Sequence, residues 1–196
     1  MPTTTYWKAS KISASMANNV QVQAGTLLRN FTVSTPTEPA DSDIICATSG
    51  DFTITCVPET QDFFEDVNNA PNNTKEGKEI IGWDCSLGVN CLEVTEDTLL
   101  LALGAADAGT GGVVNPRMTY KTTDFDTLYW IGDMKDETKL LVVKLENAVN
   151  TGGISLTTGK NAKGQLALTL TPHFSIATPN KVPMEFYILT KTGTTI

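Results

Sequence analysis

Residues 165–171 read QLALTLT, with leucine at every even position from Leu166 to Leu170. The odd positions carry Gln, Ala and Thr, so one face of this segment is apolar and the other is mostly polar. Side chains alternate between two faces in extended backbone, so the pattern predicts a β-strand with one buried face. The preceding residues 160–164, KNAKG, can form a tight turn from a strand at residues 154–156, which predicts a β-hairpin.

The same alternation recurs along most of the chain. Residues 83–91 read WDCSLGVNC and are apolar at every odd position. A last strand is predicted at residues 182–189, with Pro183 near its start, where no ladder N–H is lost. The sequence therefore predicts a mainly β protein, with further strands at residues 20–22, 52–56, 113–120, 127–131 and 140–145.

One segment has helical character. Thr95 is a suitable N-cap, and Glu96 and Asp97 fall in the first turn, where the helix dipole favours negative charge. Apolar residues follow as far as Leu103, just before Gly104. We predict one short helix over residues 95–103, followed by a flexible connection at residues 105–112, AADAGTGG.

Residues 58–78 form the longest stretch without a periodic pattern. They contain the aromatic pair Phe63 and Phe64 and the run NNAPNN at residues 68–73, which disfavours regular structure. Loops of this length in compact domains are often functional. We therefore predict a long irregular loop, and two fates remain open for the aromatic pair: a partner covers it, or it folds back onto the protein's own core.

Composition limits the class of protein. The 196 residues suffice for one core, and a hydrophobic content of 40% with 18% charged residues indicates a folded chain rather than a disordered one. The formal charge is -8, and no run of Lys or Arg is dense enough to bind phosphates nonspecifically. Neither a signal peptide nor an apolar stretch of about 20 residues is present, so we expect no membrane contact and a cytosolic protein after synthesis.

The four cysteines allow several arrangements. Cys85 and Cys91 lie on one predicted strand about 20 Å apart, too far for a disulfide. Cys46 and Cys56 could flank a hairpin turned at residues 49–51, although their spacing does not place them opposite each other. Because no CxxC pair exists and the one histidine is remote in sequence, zinc is not favoured. We predict four reduced, mostly buried thiols.

Motifs that carry chemistry are incomplete. Residues 153–160, GISLTTGK, have five residues instead of four between the glycines of a phosphate loop, and Asn161 follows where Ser or Thr is needed. His173 has no partner motif for nucleophilic catalysis. We therefore predict no enzymatic activity, no cofactor and no metal, and assign to turns and solvated surface the carboxylates Asp124, Asp126, Asp133, Asp136 and Glu137.

The order of several segments resembles the major tail proteins, or tail tube proteins, of long-tailed phages of Gram-positive bacteria. The strongest similarity lies in residues 145–153 (LENAVNTGG), 159–165 (GKNAKGQ) and 182–188 (VPMEFYI). It extends upstream through residues 128–133 (LYWIGD), 82–85 (GWDC), 103–107 (LGAAD) and 22–25 (VQAG), and so covers most of the chain.

The resemblance implies an architecture and a role. Such proteins have a β-sandwich or barrel-like core with a flanking helix, form hexameric rings, and stack these rings into a tube that conducts DNA without binding it specifically. It also implies an initiator or baseplate, a tape measure and a terminator as partners, and localisation to the virion tail after assembly in the host cytoplasm. We expect one tail tube domain over residues 1–196 without an immunoglobulin-like domain. The loop contacting a neighbouring ring would include Phe63, Phe64, Glu65, Asp66, Asn68, Asn69, Asn72 and Asn73.

Two alternatives belong to other classes. An inner tube protein of a contractile tail or injection machine would share the architecture and differ in having a sheath around it. A β-sandwich module that binds carbohydrate or a receptor would display clustered aromatics. The candidates for such a cluster are scattered along the sequence: Tyr6, Trp7, Phe63, Phe64 and Tyr120.

Overall fold

The computed structural model describes residues 12–13, 15–21, 25–160 and 162–192. Its strands and its one α-helix, in chain order, are β1 (Thr26–Leu28), β2 (Ile44–Ala47), β3 (Thr53–Asp62), β4 (Lys78–Cys91), α1 (Glu96–Leu103), β5 (Ala106–Ala108), β6 (Val114–Pro116), β7 (Asp126–Asp133), β8 (Lys139–Asn150), β9 (Ser155–Gly159), β10 (Ala162–Thr171) and β11 (Met184–Thr190). Short 3-10 turns occupy Met16–Asn19, Asp41–Asp43, Lys75–Gly77 and Thr122–Asp124.

Nine of the strands form one antiparallel sheet. Its order is β2-β1-β7-β8-β10-β4-β3, with β11 paired to β8 and β9 paired to β10, while β5 and β6 form a separate hairpin. The sheet curves back on itself, because a bridge between Thr48 and Cys91 brings the end of β2 to the end of β4. The prediction of a mainly β, sandwich-like fold with one short helix is confirmed.

The core lies between the two halves of the curved sheet. Leu128, Trp130 and Val143 on one half face the leucines of β10 and the odd-numbered residues of β4 on the other. Trp130 is fully buried, its ring centroid is 4.2 Å from that of Phe52, and its Nε1 lies 3.5 Å from Thr48 Oγ1. Burying this aromatic and aliphatic surface supplies the main driving force for the fold.

The leucines of QLALTLT behave as their alternation predicts. Leu166, Leu168 and Leu170 are buried and pair across β4 with Cys91, Val89 and Leu87. β9 and β10 form the predicted hairpin, but β10 begins at Ala162, so the turn is shorter than the expected residues 160–164. The predicted final strand is also present as β11.

The predicted helix is confirmed with its cap. The Thr95 side chain accepts a hydrogen bond from the Thr98 backbone N–H, and Thr98 Oγ1 accepts one from the Thr95 N–H, which together form a capping box. Gly104 ends the helix with φ 70°, and a Cβ there would lie 2.8 Å from the carbonyl oxygen of Asn150, so both conformation and space require glycine. In the described part of the chain, no helix has the length and apolar character to cross a bilayer.

The structure differs from the predicted bounds or conformation of several segments. The irregular segment is shorter than the predicted residues 58–78, because β3 continues to Asp62 and β4 begins at Lys78, which leaves residues 63–77 between the strands. The segment at residues 105–112 is not a flexible connection but part of the β5–β6 hairpin. Only Val114–Pro116 of the strand predicted at residues 113–120 is extended. Of the strand predicted at 20–22, Gln21 makes an isolated bridge to Met134, and residue 22 lies outside the described residues.

The expectation of four reduced thiols is also wrong. Cys46 and Cys91 form a disulfide with a Cα–Cα distance of 5.8 Å and a sequence separation of 45 residues. β2 and β3 are not paired with each other, so the considered arrangement of Cys46 opposite Cys56 does not occur. Cys56 and Cys85 remain free thiols. The disulfide links β2 to β4 at the point where the sheet closes.

Candidate functional site

The distal part of the β3–β4 hairpin is a two-stranded ribbon, which we call the arm and define as residues 57–83. β10 pairs with β4 only at residues 87–91, so β4 has β3 as its single described neighbour along the arm. The strands run for six residues beyond the Cys56–Cys85 pair, or about 20 Å. A two-stranded ribbon has little independent stability in water. The arm therefore needs other contacts to hold a fixed position.

The arm exposes an unusual amount of apolar surface. Five large apolar side chains on it are each at least half exposed: Val57, Phe63, Val67, Ile80 and Ile81. Scattered exposed apolar residues are ordinary, but several on one projecting segment indicate an interaction surface. By strand alternation, Ile81 and Trp83 continue the line of the buried Cys85. The apolar face of the core therefore extends outward along the arm.

A β-bulge divides the arm. Between the pairs Glu59–Gly82 and Thr60–Ile80, Ile81 is the additional residue on β4. Bulges increase the local twist and re-aim side chains. As a result both isoleucines are exposed at the same level of the ribbon. Sequence reasoning missed these residues because they fall between the segment predicted to be irregular, residues 58–78, and the strand predicted at residues 83–91.

The turn at the tip of the arm is ordered by local hydrogen bonds. The Phe63 N–H donates to the Gly77 carbonyl at 2.9 Å, and the Phe64 N–H donates to Asp62 Oδ1 at 3.0 Å. This backbone hydrogen bond is the main reason why the pKa of Asp62 lies below its ordinary value, with Lys78 adding a smaller effect. Asn69 and Asn73 adopt left-handed backbone conformations, which asparagine tolerates well.

The two phenylalanines at the tip differ. The Phe64 ring packs over Gly77, where an added Cβ would lie 2.8 Å from Phe64 Cδ2. Phe63 is the more exposed ring, and neither phenylalanine belongs to the hydrophobic core or packs against it. The possibility that they fold back onto the core is therefore wrong, and only Phe64 is covered by the arm itself. All eight residues predicted to form an interface lie in this turn: Phe63, Phe64, Glu65, Asp66, Asn68, Asn69, Asn72 and Asn73.

The arm is strongly acidic. Residues 57–83 contain six acidic and two basic residues, an excess of four negative charges, which is half the formal charge of the whole chain. Lys78 is paired to Asp62 at 3.5 Å, and Lys75 to Glu76 at 3.4 Å. A partner surface would therefore combine apolar side chains with basic or neutral ones.

A second apolar strip lies at the edge of the sheet. Met184, Phe186 and Ile188 share one face of β11, but only Met184 is buried. Among the described strands, β11 pairs with β8 alone, so its outer edge has free backbone hydrogen-bonding groups. An unpaired edge beside exposed apolar side chains favours pairing with another chain. The sequence indicated this strand but not that it would be an edge.

Four of the five carboxylates considered as catalytic or metal-binding candidates, all but Glu137, are placed in ion pairs. Asp124 Oδ1 lies 2.5 Å from Arg117, and Asp126 Oδ2 lies 3.6 Å from Arg29. Asp133 pairs with Lys191 at 2.7 Å, and Asp136 pairs with Lys139 at 3.4 Å. Among the described residues, no three His, Cys, Asp or Glu side chains are grouped so that they could hold a metal ion.

His173 has a packing role. Its Nδ1 lies 3.2 Å from the Asn147 carbonyl oxygen, and its ring meets that of Phe125 edge-on at 5.3 Å. Asn147 in turn donates to the His173 carbonyl at 3.0 Å. Tyr120 is 5.6 Å from Phe125, whereas Phe63 and Phe64 lie on the arm, and Tyr6 and Trp7 are outside the described residues. The described aromatic candidates for a binding module thus lie in two separate places.

The chain was also compared with known proteins. No protein-family model matches it, and no curated protein matches it.

Proposed function

We propose that this chain is the ring-forming subunit of a phage tail tube. In this role it forms hexameric rings that stack into a hollow conduit for DNA during ejection. Initiator, tape-measure and terminator proteins are its further partners in the virion. The function is mechanical, and the chain performs it through its surfaces.

The arm is the observation that carries the proposal. It is a projecting, two-stranded ribbon with five apolar side chains at least half exposed. Burying the half of each side chain that is still exposed would supply about half of the roughly 1.5–3 kcal/mol that full burial of a large apolar side chain contributes. Stacked rings would supply the missing cover by placing each arm against the next subunit.

Lateral contacts within a ring have a separate candidate. The free edge of β11, with Phe186 and Ile188 beside it, is far along the chain from the arm. A contact between two different surfaces of identical subunits is heterologous, and it closes a ring when the rotation per subunit divides a full turn. The arm and the β11 edge would then serve two directions of growth, along the tube and around it.

The disulfide supports a role for the protein in a particle that functions outside the cell. Disulfides persist on virion surfaces and in other oxidising environments, whereas the cytosol keeps thiols reduced. Cys46 and Cys91 lie side by side in the fold, so the bond can form once the assembled protein leaves the host cytoplasm. Its formation after lysis would reconcile cytoplasmic synthesis with an oxidised protein in the virion.

The acidic charge supports transport of DNA without binding. The 14 Lys and Arg residues are outnumbered by 22 Asp and Glu residues, so the net charge of -8 disfavours binding to phosphates. A tube wall with negative charge repels DNA and lets it slide. The expected result is no measurable retention of double-stranded DNA by assembled tubes at physiological ionic strength.

Electron microscopy of the concentrated protein tests the proposal. Negatively stained wild-type samples should contain rings or tubes, with addition of an initiator complex if assembly needs nucleation. The variant Ile81→Ser removes an exposed apolar group from the arm and should reduce tube length without changing the unfolding midpoint. Ile176→Ser is the matched control, because Ile176 is fully exposed and distant from the arm in sequence.

The outcomes separate clearly. Tubes of wild-type length from Ile81→Ser would rule out the arm as an essential contact. Monomers at all concentrations, even with the initiator present, would contradict the tail tube assignment itself. A deletion of residues 68–73 serves as a second variant, since it shortens only the turn at the tip and should weaken elongation.

A further inference from the structure

Two cysteines outside the disulfide meet at the root of the arm. Cys56 on β3 is directly opposite Cys85 on β4 in the strand register, and their sulfur atoms are 2.8 Å apart. Cys56 is partly exposed, whereas Cys85 is only 3% exposed. In the next pair outward, Val57 with Asp84, Val57 is the first residue of the arm. The thiol pair therefore marks the boundary between core and arm.

The backbone already holds the two thiols in reach of a bond. Directly opposed residues of an antiparallel pair have Cβ atoms about 4.5–5.5 Å apart, against about 3.5–4.5 Å in a disulfide. The remaining approach is small, and the sulfur atoms point at each other. A disulfide here needs no change of register between β3 and β4.

The two thiols differ in reactivity. Burial raises the pKa of Cys85 to about 12, helped by its hydrogen bond with Cys56 and by the negative charge of Asp84. Cys85 therefore keeps its proton at neutral pH, and its sulfur lies within hydrogen-bond distance of the Cys56 sulfur. The thiolate is the nucleophile in thiol–disulfide exchange, and access also limits the rate. The more exposed Cys56 is accordingly the sulfur that reacts first.

We propose that Cys56 and Cys85 form a thiol–disulfide exchange site that reacts with small-molecule disulfides of the glutathione class. The Cys56 thiolate attacks one sulfur of the small disulfide, forming a mixed disulfide and releasing one thiolate. Cys85 then gives its proton to the released thiolate or to solvent, and its sulfur attacks Cys56 Sγ. The second small molecule departs as a thiolate and takes up the proton that Cys56 released to solvent on ionisation, and a disulfide bond joins β3 to β4. Overall, the protein dithiol is oxidised and one small disulfide is reduced to two thiols.

The new bond would cross-link β3 and β4 where the arm leaves the core. Cys85 belongs to the buried core cluster and Cys56 packs against it, so the bond fixes both strands where the arm begins. This step goes beyond the tail tube proposal and does not depend on it, since it concerns the chemistry of the isolated chain. Its test uses the monomer and measures no assembly.

The experiment counts thiols before and after oxidation. Wild-type protein containing the Cys46–Cys91 disulfide should show two thiols per chain when denatured without reductant. Incubation of the folded protein with oxidised glutathione should remove both thiols and lower the mass by two hydrogen atoms. Proteolytic digestion should then yield a peptide that links Cys56 to Cys85.

Two single variants identify the order of attack. Cys85→Ser should stop at a stable glutathione adduct on Cys56, because no second thiol is present to displace it. Cys56→Ser should react at least about tenfold more slowly, because the buried, protonated Cys85 is the remaining thiol. A persistent adduct on wild-type Cys56, or peptides that join Cys56 to Cys46 or Cys91, would overturn the proposal, as would faster reaction of Cys56→Ser.

Discussion

Asn150 at the end of β8 donates a hydrogen bond from Nδ2 to the carbonyl oxygen of Ala102, which ties the last turn of α1 to the sheet. The same side chain donates to the Gly153 carbonyl at 2.9 Å and accepts from the Thr169 N–H at 2.7 Å. Asn150 and Ala102 are almost completely buried, so water cannot readily replace the hydrogen bond between them.

Replacing Asn150 should destabilise the fold strongly. Asn150→Ala leaves the buried Ala102 carbonyl without this donor and also removes the hydrogen bonds to the Gly153 carbonyl and the Thr169 N–H. We expect a loss of about 2–4 kcal/mol in the free energy of unfolding. Urea denaturation monitored by tryptophan fluorescence gives this value. Thr151→Ala, at the exposed neighbouring position, is the control and should cost less than about 1 kcal/mol. Equal losses in the two variants would contradict the role assigned to Asn150.

Opening the Cys46–Cys91 disulfide should lower stability through the unfolded state. A cross-link over a loop of this length restricts the unfolded chain, and we expect its removal in Cys46→Ala/Cys91→Ala to cost about 2–4 kcal/mol. The matched double variant Cys56→Ala/Cys85→Ala removes two thiols and no cross-link. Added reductant should therefore destabilise that second variant and the wild type, but not the first. An unchanged unfolding midpoint of wild type in reductant would disprove the prediction.

The cap of helix α1 should contribute less to the free energy of unfolding than the disulfide does. Thr95→Ala removes the side-chain acceptor for the Thr98 N–H and should cost about 1 kcal/mol. Thr95→Ser keeps the hydroxyl and should retain most of the stability. Thermal unfolding by circular dichroism compares the two variants, and a Ser variant as unstable as the Ala variant would show that the hydroxyl is not responsible.

A cluster of charges on β8 and β11 should make stability depend on pH. Lys144 Nζ lies 2.5 Å from Glu146 and 3.3 Å from Glu185, and Lys181 contacts both carboxylates. A hydrogen bond from Tyr187, with both lysines, lowers the pKa of Glu185. For Glu146, burial raises the pKa, but the two lysines outweigh it and the pKa is lowered. The pKa of Lys144 is raised by the two carboxylates although burial opposes this.

The sign of the pH effect follows from these directions. The carboxylates contribute stability above their ordinary pKa of 4.5, and this is lost as pH falls below it. The contribution of Lys144 to stability is complete below the ordinary lysine pKa of 10.5 and is lost at higher pH. Urea midpoints should fall between about pH 5.5 and about pH 3.5, and less steeply in Glu146→Gln than in wild type. An identical slope in both proteins would contradict this account.

Local patterns predicted the regular elements well. The alternating leucines of β10 and the capping residue Thr95 act within a few residues of each other, so the sequence alone determines their effect. The Cys46–Cys91 disulfide was missed because it joins strands that are distant in sequence and meet only when the sheet curves.

The sequence singled out the segment that contains the tip of the arm but predicted its conformation incorrectly. Pro58 and the asparagines suggested a loop, yet β3 is an edge strand, which tolerates a proline whose missing N–H points away from its one neighbour. Pairing with β4 then extends both strands, and the irregular part shrinks to the turn at the tip. Ile80 and Ile81 are exposed because no described element covers the faces of the ribbon at their level, which no local pattern encodes.

The Cys46–Cys91 bond also gives the chain a closed covalent circuit. Residues 47–90, which include the whole arm, form a loop whose two ends are joined through sulfur. A single protease cut of the peptide backbone within this loop releases no fragment, because the disulfide still joins the two products. A subunit cut once within the arm would therefore migrate as a single chain in non-reducing gel electrophoresis. After reduction it would migrate as two fragments.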